Sequence, residues 1–330
     1  MTSSSPATPF GPPEAEPASV SGMAALIEAL SPGSSLIRSR RLRGGLGAKM
    51  HALLIERADG SRFKVTLRRY IPEYRKSTSE DCRREFRVLQ LLDEAGIAAP
   101  RPLLLDADGA YFGAPAMALS YLPGRAWSRQ TNLGSWTRQL AHALLPLHAV
   151  TPDRYDLTFL PPNGMEQMRE SLEKRRERVA TEEPLTREVL TALDTSPDGL
   201  TLLPPCLVHD DYFPGNTVWY RGRLTGIIDW AQATVGDPRM DVGQCRLDLV
   251  VSHGMEVADV FLADYEAAMG ARLPRMWFFD LFYGLSALLY YEIWLQDYHD
   301  AGLTDVLAED VKPRLDAFLR RALAQRAASL

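Results

Sequence analysis

The chain has 330 residues, 46% of them hydrophobic and 24% charged, with a formal net charge of −5; this ordinary globular composition excludes collagen-like, coiled-coil and mostly disordered classes. The charge is polarised: 16 basic and 13 acidic residues precede position 123, 14 and 17 fall in 123–250, and 7 and 12 in the remainder. A dedicated nucleic-acid binder would carry a strong basic stripe instead, so the balance fits a protein that holds an anion toward one end.

Residues 1–20 have neither the basic start nor the apolar core of a signal peptide, and their Pro, Ser, Ala and Glu content predicts a disordered tail. Between Leu36 and Tyr70 the pattern reads as strands: SLIRSRRL, a glycine cluster at 44–47, MHALLIER, an Asp59-Gly60 turn and FKVTLRRY. Ser79 then caps a helix with Glu80 and Asp81 in its first turn, and Phe86, Leu89 and Leu92 recur at helical spacing until Gly96. Two further strands, 102–107 and 114–121, complete a small sheet, and Leu122-Pro123-Gly124 breaks the pattern. Helices follow over 133–148, 164–180, 240–252, 255–269, 274–297 and 305–326. These elements predict an α+β chain with an N-terminal lobe over 21–121 and a mainly helical lobe over 122–330.

The longest uncharged stretch of the apolar C-terminal region, Leu281 to Tyr291, falls short of the roughly 18 residues a spanning helix needs. No membrane association is expected. The three cysteines, Cys82, Cys206 and Cys245, are far apart and offer no disulfide framework or CxxC zinc site, so the expected compartment is the reducing cytoplasm.

Residues 206–249 depart from helix. Short apolar strands, CLV, TVWY and LTGIID, alternate with loops carrying His209, Asp210, Asp211, Asn216, Asp229 and Asp241. In this arrangement one carboxylate can accept the proton of a substrate hydroxyl, while an amide oxygen and a second carboxylate give hard oxygen ligands to a Mg²⁺ bridging nucleotide phosphates. With six His and three Asn in the chain, the pattern His-x-Asp-x₄-Asn has only about 0.004 expected chance occurrences.

The string HDDYFPGN…GIIDW…GDPRMDVG strongly resembles the aminoglycoside phosphotransferase family, a branch of the protein-kinase-like fold that phosphorylates hydroxyls of small molecules; the resemblance extends more weakly over about 30–325. It implies a two-lobed fold, a small antiparallel-sheet N-lobe and a mainly helical C-lobe, with Mg²⁺ and ATP or GTP bound in the cleft. It implies Asp211 as catalytic base, His209 as a brace of the loop, Asn216 and Asp229 as Mg²⁺ ligands, and Asp241 as a support from the GDP-x-x-D element. The family usually shows Gly between the His and the base. Asp210 departs from that pattern and sets a second carboxylate beside the base, which tends to raise the base's pKa where both face the site.

For the nucleotide, the matching positions are weaker. Gly44, Gly45 and Gly47 lie between two strands, where glycine lets backbone approach phosphate. Arg68 and Glu85 stand where the kinase pattern has its strand lysine and helix glutamate, and Arg69 is the alternative, since one residue of register exchanges strand faces. The adenine is expected near Met117 to Leu122. Taken alone, the glycines read as a hairpin turn, and Arg68 and Glu85 as surface charges worth under ~1 kcal/mol if paired in solvent; the downstream motif gives them a function. His142 and His148, six apart, read as ordinary helix residues.

Substrate choice is open between an antibiotic (aminoglycoside, macrolide or basic peptide) and a metabolite alcohol. The aromatic run 275–298 serves as core or as a pocket for a large apolar acceptor, and Asp280, Glu292, Asp297, Asp300, Glu309 and Asp310 as a solvated helix face or as partners of ammonium groups. A catalytically silent nucleotide-binding protein of the same fold is the alternative function, favoured by Asp210 and by arginine in place of lysine and opposed by the retention of Asp211, Asn216 and Asp229. A zinc-dependent hydrolase is poorer, because one His among carboxylates suits Mg²⁺ better.

Overall fold

A computed structural model of the chain describes residues 20–42, 48–71, 78–126, 132–177, 183–195, 200–300 and 303–329. The chain divides into two compact units, one of Met1–Cys82 with Leu103–Leu119, the other of Arg83–Pro102 with Ser120–Leu330. The class is α+β, a sheet in the first unit and mainly helices in the second.

The first unit is built on α1 (Val20–Leu30), β1 (Ser35–Arg41), β2 (Ala48–Glu56) and β3 (Arg62–Tyr70). Helix α2 (Ser79–Glu94) passes from this unit into the other, and β4 (Pro102–Asp106) and β5 (Ala116–Ser120) complete a five-stranded sheet in the order β1-β2-β3-β5-β4. The strands β1, β2 and β3 form an antiparallel meander, with Leu53 opposite Val65 and Ile55 opposite Phe63. Period-two alternation puts Leu53, Ile55, Val65 and Leu67 on one face, where α1 covers them with Met23, Leu26 and Ile27. Each such side chain contributes about 1.5–3 kcal/mol of burial. Helix α1 adds to the elements predicted from the pattern. Strand β1 is exposed along its whole length, and Arg38, Arg40 and Arg41 blunt it as a sheet edge.

The second unit continues with β6 (Arg125–Ala126), α3 (Leu133–His148), β7 (Pro162–Asn163), α4 (Met165–Arg176), α5 (Pro184–Asp194), β8 (Cys206–Val208), β9 (Thr217–Tyr220), β10 (Arg223–Ile227) and β11 (Thr234–Gly236). Four helices close it: α6 (Arg239–His253), α7 (Met255–Met269), α8 (Met276–Asp300) and α9 (Ala308–Ala328). The small strands form two sheets, β10-β9-β6 and β7-β11-β8. Helix α6 is buried nearly all round between α7, α8 and α9, the condition for a helix without a polar face. Its Gly243 has no room for a Cβ, which would lie 2.9 Å from Phe279 Cβ and 3.0 Å from the Tyr283 ring, so α8 packs directly on its backbone.

The aromatic run resolves in favour of core over the first part of α8. Met276 to Leu285 is buried with rings in mutual contact, Phe278 stacking on Phe282. Asp280 is neither solvated nor open to a cationic ligand: it takes two hydrogen bonds from Arg246, at 2.9 and 3.0 Å, inside the helical core. Among the described residues, no helix is long and apolar enough to cross a membrane.

Candidate active site

Strand β8 delivers the chain to His209, paired through Val208 with Thr234 of β11. The loop that follows turns through a short 3₁₀ segment, Pro214–Asn216, into the β9–β10 hairpin, which returns the chain to Asp229. Because Thr217 pairs with Ile227, the flanking residues Asn216 and Ile228 also meet, and the Ile228 N–H donates to the Asn216 carbonyl at 2.8 Å. Hairpin register, rather than proximity in sequence, sets Asp229 beside the Asn216 turn.

Asn216 is buried and points its amide nitrogen at Asp211, donating to the carboxylate Oδ2 at 3.0 Å and to the backbone carbonyl at 2.9 Å. With Nδ2 so committed, the amide presents its oxygen as the remaining polar atom. An amide oxygen and a carboxylate, here Asn216 Oδ1 and Asp229, are the hard donor types that could hold Mg²⁺, an ion that usually takes few protein ligands and fills its other positions with water and phosphate oxygens. Among the described residues, no group of three or more His, Cys, Asp and Glu is arranged to hold a metal.

His209 is fully buried. Its Nε2 donates to the Ile228 carbonyl at 2.9 Å, which leaves Nδ1 as an acceptor with no hydrogen-bond partner among the described residues. Burial pulls its imidazole below the usual pKa against the opposing charges of Asp241 and Asp229. The neutral ring, bonded to Ile228 and with its centroid 4.5 Å from that of Trp230, ties the loop to the residues on either side of Asp229.

Asp241, in the first turn of α6 and without solvent exposure, joins these pieces. Its Oδ1 accepts the Asp210 N–H at 2.9 Å, and its Oδ2 accepts the His209 N–H at 2.9 Å and faces His148 Nε2 at 3.2 Å. His148 is in turn 2.7 Å from the Tyr265 hydroxyl through Nδ1. It is therefore not an ordinary helix residue: α3 and α7 use it to hold the carboxylate that holds the loop. The start of α6 is fixed by a buried pair, Asp237 and Arg239, the latter also donating to the carbonyls of Thr201 and Pro274.

Asp210 has φ +60, in the left-handed region that favours glycine. Its Oδ2 accepts from Asn163 Nδ2 at 2.8 Å and its Oδ1 lies 3.5 Å from the Tyr283 hydroxyl. Asn163 and Tyr283 carry no signal that spacing alone could have found.

In the first unit, Arg68 and Arg69 end β3 and are both buried, so the surface-charge reading of Arg68 does not hold. Arg69 shares strand parity with Val65 and Leu67 and places its guanidinium 5.3 Å from the Phe112 ring; Arg68 shares the opposite face with Tyr70, at 5.3 Å. Burial pulls the Arg69 pKa down. Glu85, on α2, belongs to the second unit and is also buried. Gly44, Gly45 and Gly47 lie outside the described residues.

The model of the phosphotransferase enzyme family, APH, matches residues 40–278. The chain belongs to this family. A homoserine kinase of Chelativorans sp. is 28% identical over 195 residues, 54% of this chain and 58% of that protein. The chain spans about half the length of the curated relatives it matches. Among solved structures, the macrolide 2'-phosphotransferase MphH of Brachybacterium faecium aligns with a TM-score of 0.61 at 22% identity, covering 88% of this chain and 98% of that one. The GDP and kanamycin complex of APH(2")-IIia aligns at 0.62 and 18% identity, over 93% and 98%. The kinase-like phosphotransferase fold of these structures is the fold of this chain.

Proposed function

We propose that the protein moves the γ-phosphate of ATP or GTP to a hydroxyl of a small molecule. The observation that carries this reading is the convergence on one loop of Asp211, Asn216 and Asp229, joined by the Asn216 amide and the Ile228–Asn216 backbone bond. The family membership and the GDP held by a neighbour of the same fold support it.

In this reading Asp211 orients the acceptor hydroxyl for in-line attack and accepts its proton as the bond to phosphorus forms. The Asn216 amide fixes the carboxylate rotamer, so the oxygen facing the acceptor is set before substrate arrives. Asn216 Oδ1 and Asp229 hold the metal, which when bound supplies charge neutralisation at the phosphates. His209 stays neutral and takes no part in proton transfer; it braces the turn that carries Asp229. Asp241 clamps two consecutive loop amides, fixing the backbone from which Asp211 projects.

Arg68 is assigned to the nucleotide phosphates in preference to Arg69, because the Arg69 parity is committed to the face covered by α1. The guanidinium keeps the positive charge of the usual lysine and offers a planar fork of donors. The acceptor is a small hydroxylated molecule, an antibiotic or a metabolite alcohol such as a hydroxyamino acid. The homoserine kinases among the relatives support including the latter.

The test is incubation with Mg-ATP and Mg-GTP against aminoglycosides, macrolides, basic peptide antibiotics and small amino alcohols including homoserine, reading a mass gain of one phosphate. Product lost in Asp211→Asn is the expected result. A variant as active as wild type would remove Asp211 from the role of base, and nucleotide binding without transfer to any acceptor would favour the silent binder.

A further inference from the structure

We propose that Asp210 is a positioning residue for the acceptor, its carboxylate tying the catalytic loop to β7, α4 and α8 and so fixing how the acceptor hydroxyl meets Asp211. The inference rests on the phosphotransferase reading above and deepens it. Three observations carry it, and all lie within the second unit.

The first is backbone strain. At φ +60 a side chain costs energy that glycine does not pay, and Asp is among the few residues that tolerate the conformation. Such strain persists where the surroundings over-determine it. A residue whose only task was to turn the chain would be better as glycine, the residue the family pattern has there.

The second is what the carboxylate reaches. Its Oδ2 takes the Asn163 amide at 2.8 Å from the end of β7, and its Oδ1 faces the Tyr283 hydroxyl of α8 at 3.5 Å. The Arg175 guanidinium of α4 attracts it, and is itself anchored by a 2.6 Å bond from Nη1 to the Phe282 carbonyl and by the Phe282 ring 4.2 Å away. One side chain, adjacent in sequence to the base, thus bonds to two separate elements, β7 and α8, and attracts the charge carried by a third, α4.

The third is that both hydrogen-bonding partners are seated where no side chain could intervene. A Cβ on Gly236 of β11 would lie 2.8 Å from the Asn163 carbonyl, and one on Gly243 of α6 would lie 3.0 Å from the Tyr283 ring. Both glycines have ordinary negative-φ geometry, so close approach is what they supply.

The tie is sensitive to pH. Burial pushes the Asp210 carboxyl up to about 7, the charges of Asp241 from α6 and Asp211 from the loop push the same way, and the Asn163 bond and Arg175 oppose them. The Tyr283 hydroxyl is driven well above its usual range and stays a donor. Ionised Asp210 accepts from Asn163 and Tyr283 and attracts Arg175; protonated, it loses the pull on Arg175. The tie therefore tightens as pH rises through about 7.

Asp210→Asn and Asp210→Gly test this, since both residues accept φ +60 and Gly relieves the strain. With the acceptor that wild type phosphorylates, both are expected to raise the acceptor KM about tenfold, well beyond any change in the nucleotide KM. Wild-type kcat/KM for the acceptor is expected to climb between pH 6 and 8 and Asp210→Asn to lose that climb, while the Tm of Asp210→Gly equals or exceeds that of wild type. Independently of any acceptor, amide hydrogen exchange in α4 at pH 8 is expected to be faster in Asp210→Asn than in wild type. If Asp211→Asn abolishes transfer but Asp210→Asn keeps the wild-type KM, pH profile and α4 exchange, the proposed function stands and this inference is overturned. A parallel loss of Tm and of both KM values would reduce Asp210 to a structural residue and also overturn it. Wild type that neither transfers phosphate to any acceptor nor hydrolyses Mg-nucleotide would sink both.

Discussion

The loop from His209 to Asn216 and the end of strand β3 both carry charged residues assigned to chemistry, and they hold them in opposite ways. The loop is fixed through its main chain: one carboxylate, Asp241, takes two consecutive backbone N–H groups and is steadied by His148. Strand β3 is fixed through its hydrophobic side chains: Val65 and Leu67 commit one face to α1, and that choice alone sends Arg69 toward Phe112 and Arg68 the other way. The loop's geometry therefore depends on a few buried polar bonds, each costly to break. The strand's depends on register, where no single polar contact matters much but a slip of one residue would exchange the arginines.

The comparison breaks most visibly at the clamp. Asp241→Ala strands two loop N–H groups and His148 in a dry interior, at about 3–5 kcal/mol of stability, with phosphoryl transfer lost; urea midpoints and the transfer assay read both. Asp211→Asn separates the two quantities. It removes the proposed base while the Asn216 amide keeps a carbonyl oxygen to bond, so transfer should fall roughly 10²–10⁴-fold with the urea midpoint unmoved. On the strand, Arg68→Met should raise the nucleotide KM about tenfold, a loss of about 1.4 kcal/mol, whereas Arg69→Met should leave it within about twofold. Equal effects at the two positions would show that parity does not decide which arginine meets the phosphates.

Why the loop could be read from sequence and its support could not follows from the same contrast. Asp211 and Asn216 stand five apart within one turn and Asp229 closes a strand, so local spacing reveals them. The long periodic elements, such as α3 at 133–148 and α7 at 255–269, were likewise legible, because each buries a stripe that repeats every three to four residues. Helix α1 carries the same signal in Met23, Leu26, Ile27 and Leu30, overshadowed by the Pro-rich residues before it. Strands β6, β7 and β11, two or three residues long, are too short to show any period. His148, Asn163 and Tyr283 acquire their partners only when distant segments pack, 47 to 117 residues apart, and nothing near them in the chain marks them. The burial of Asp280 was hidden for the same reason: Arg246 is 34 residues away on another helix.

The smallest expected effect tests whether the base's charge extends into the helical core. Asp248 of α6 is buried, with Oδ2 accepting from the Tyr298 hydroxyl at 2.6 Å and Oδ1 without a hydrogen-bond partner among the described residues. Burial pushes its carboxyl up to about 7, the Asp211 charge adding to the push and the Tyr298 bond opposing it. The folded state thus binds a proton that the unfolded state, with an ordinary carboxyl, has released, so stability falls as pH rises from about 4 to about 7. Asp248→Asn cannot titrate, and its stability relative to wild type, read from urea midpoints, should therefore improve with rising pH, by on the order of 1 kcal/mol between pH 5 and 8. In the Asp211→Asn background one of the charges opposing ionisation is gone, and the gain should shrink. A difference that is flat with pH would place the Asp248 proton outside the folding equilibrium, and a gain unchanged by Asp211→Asn would confine the base's charge to the loop, leaving burial alone to hold the Asp248 proton.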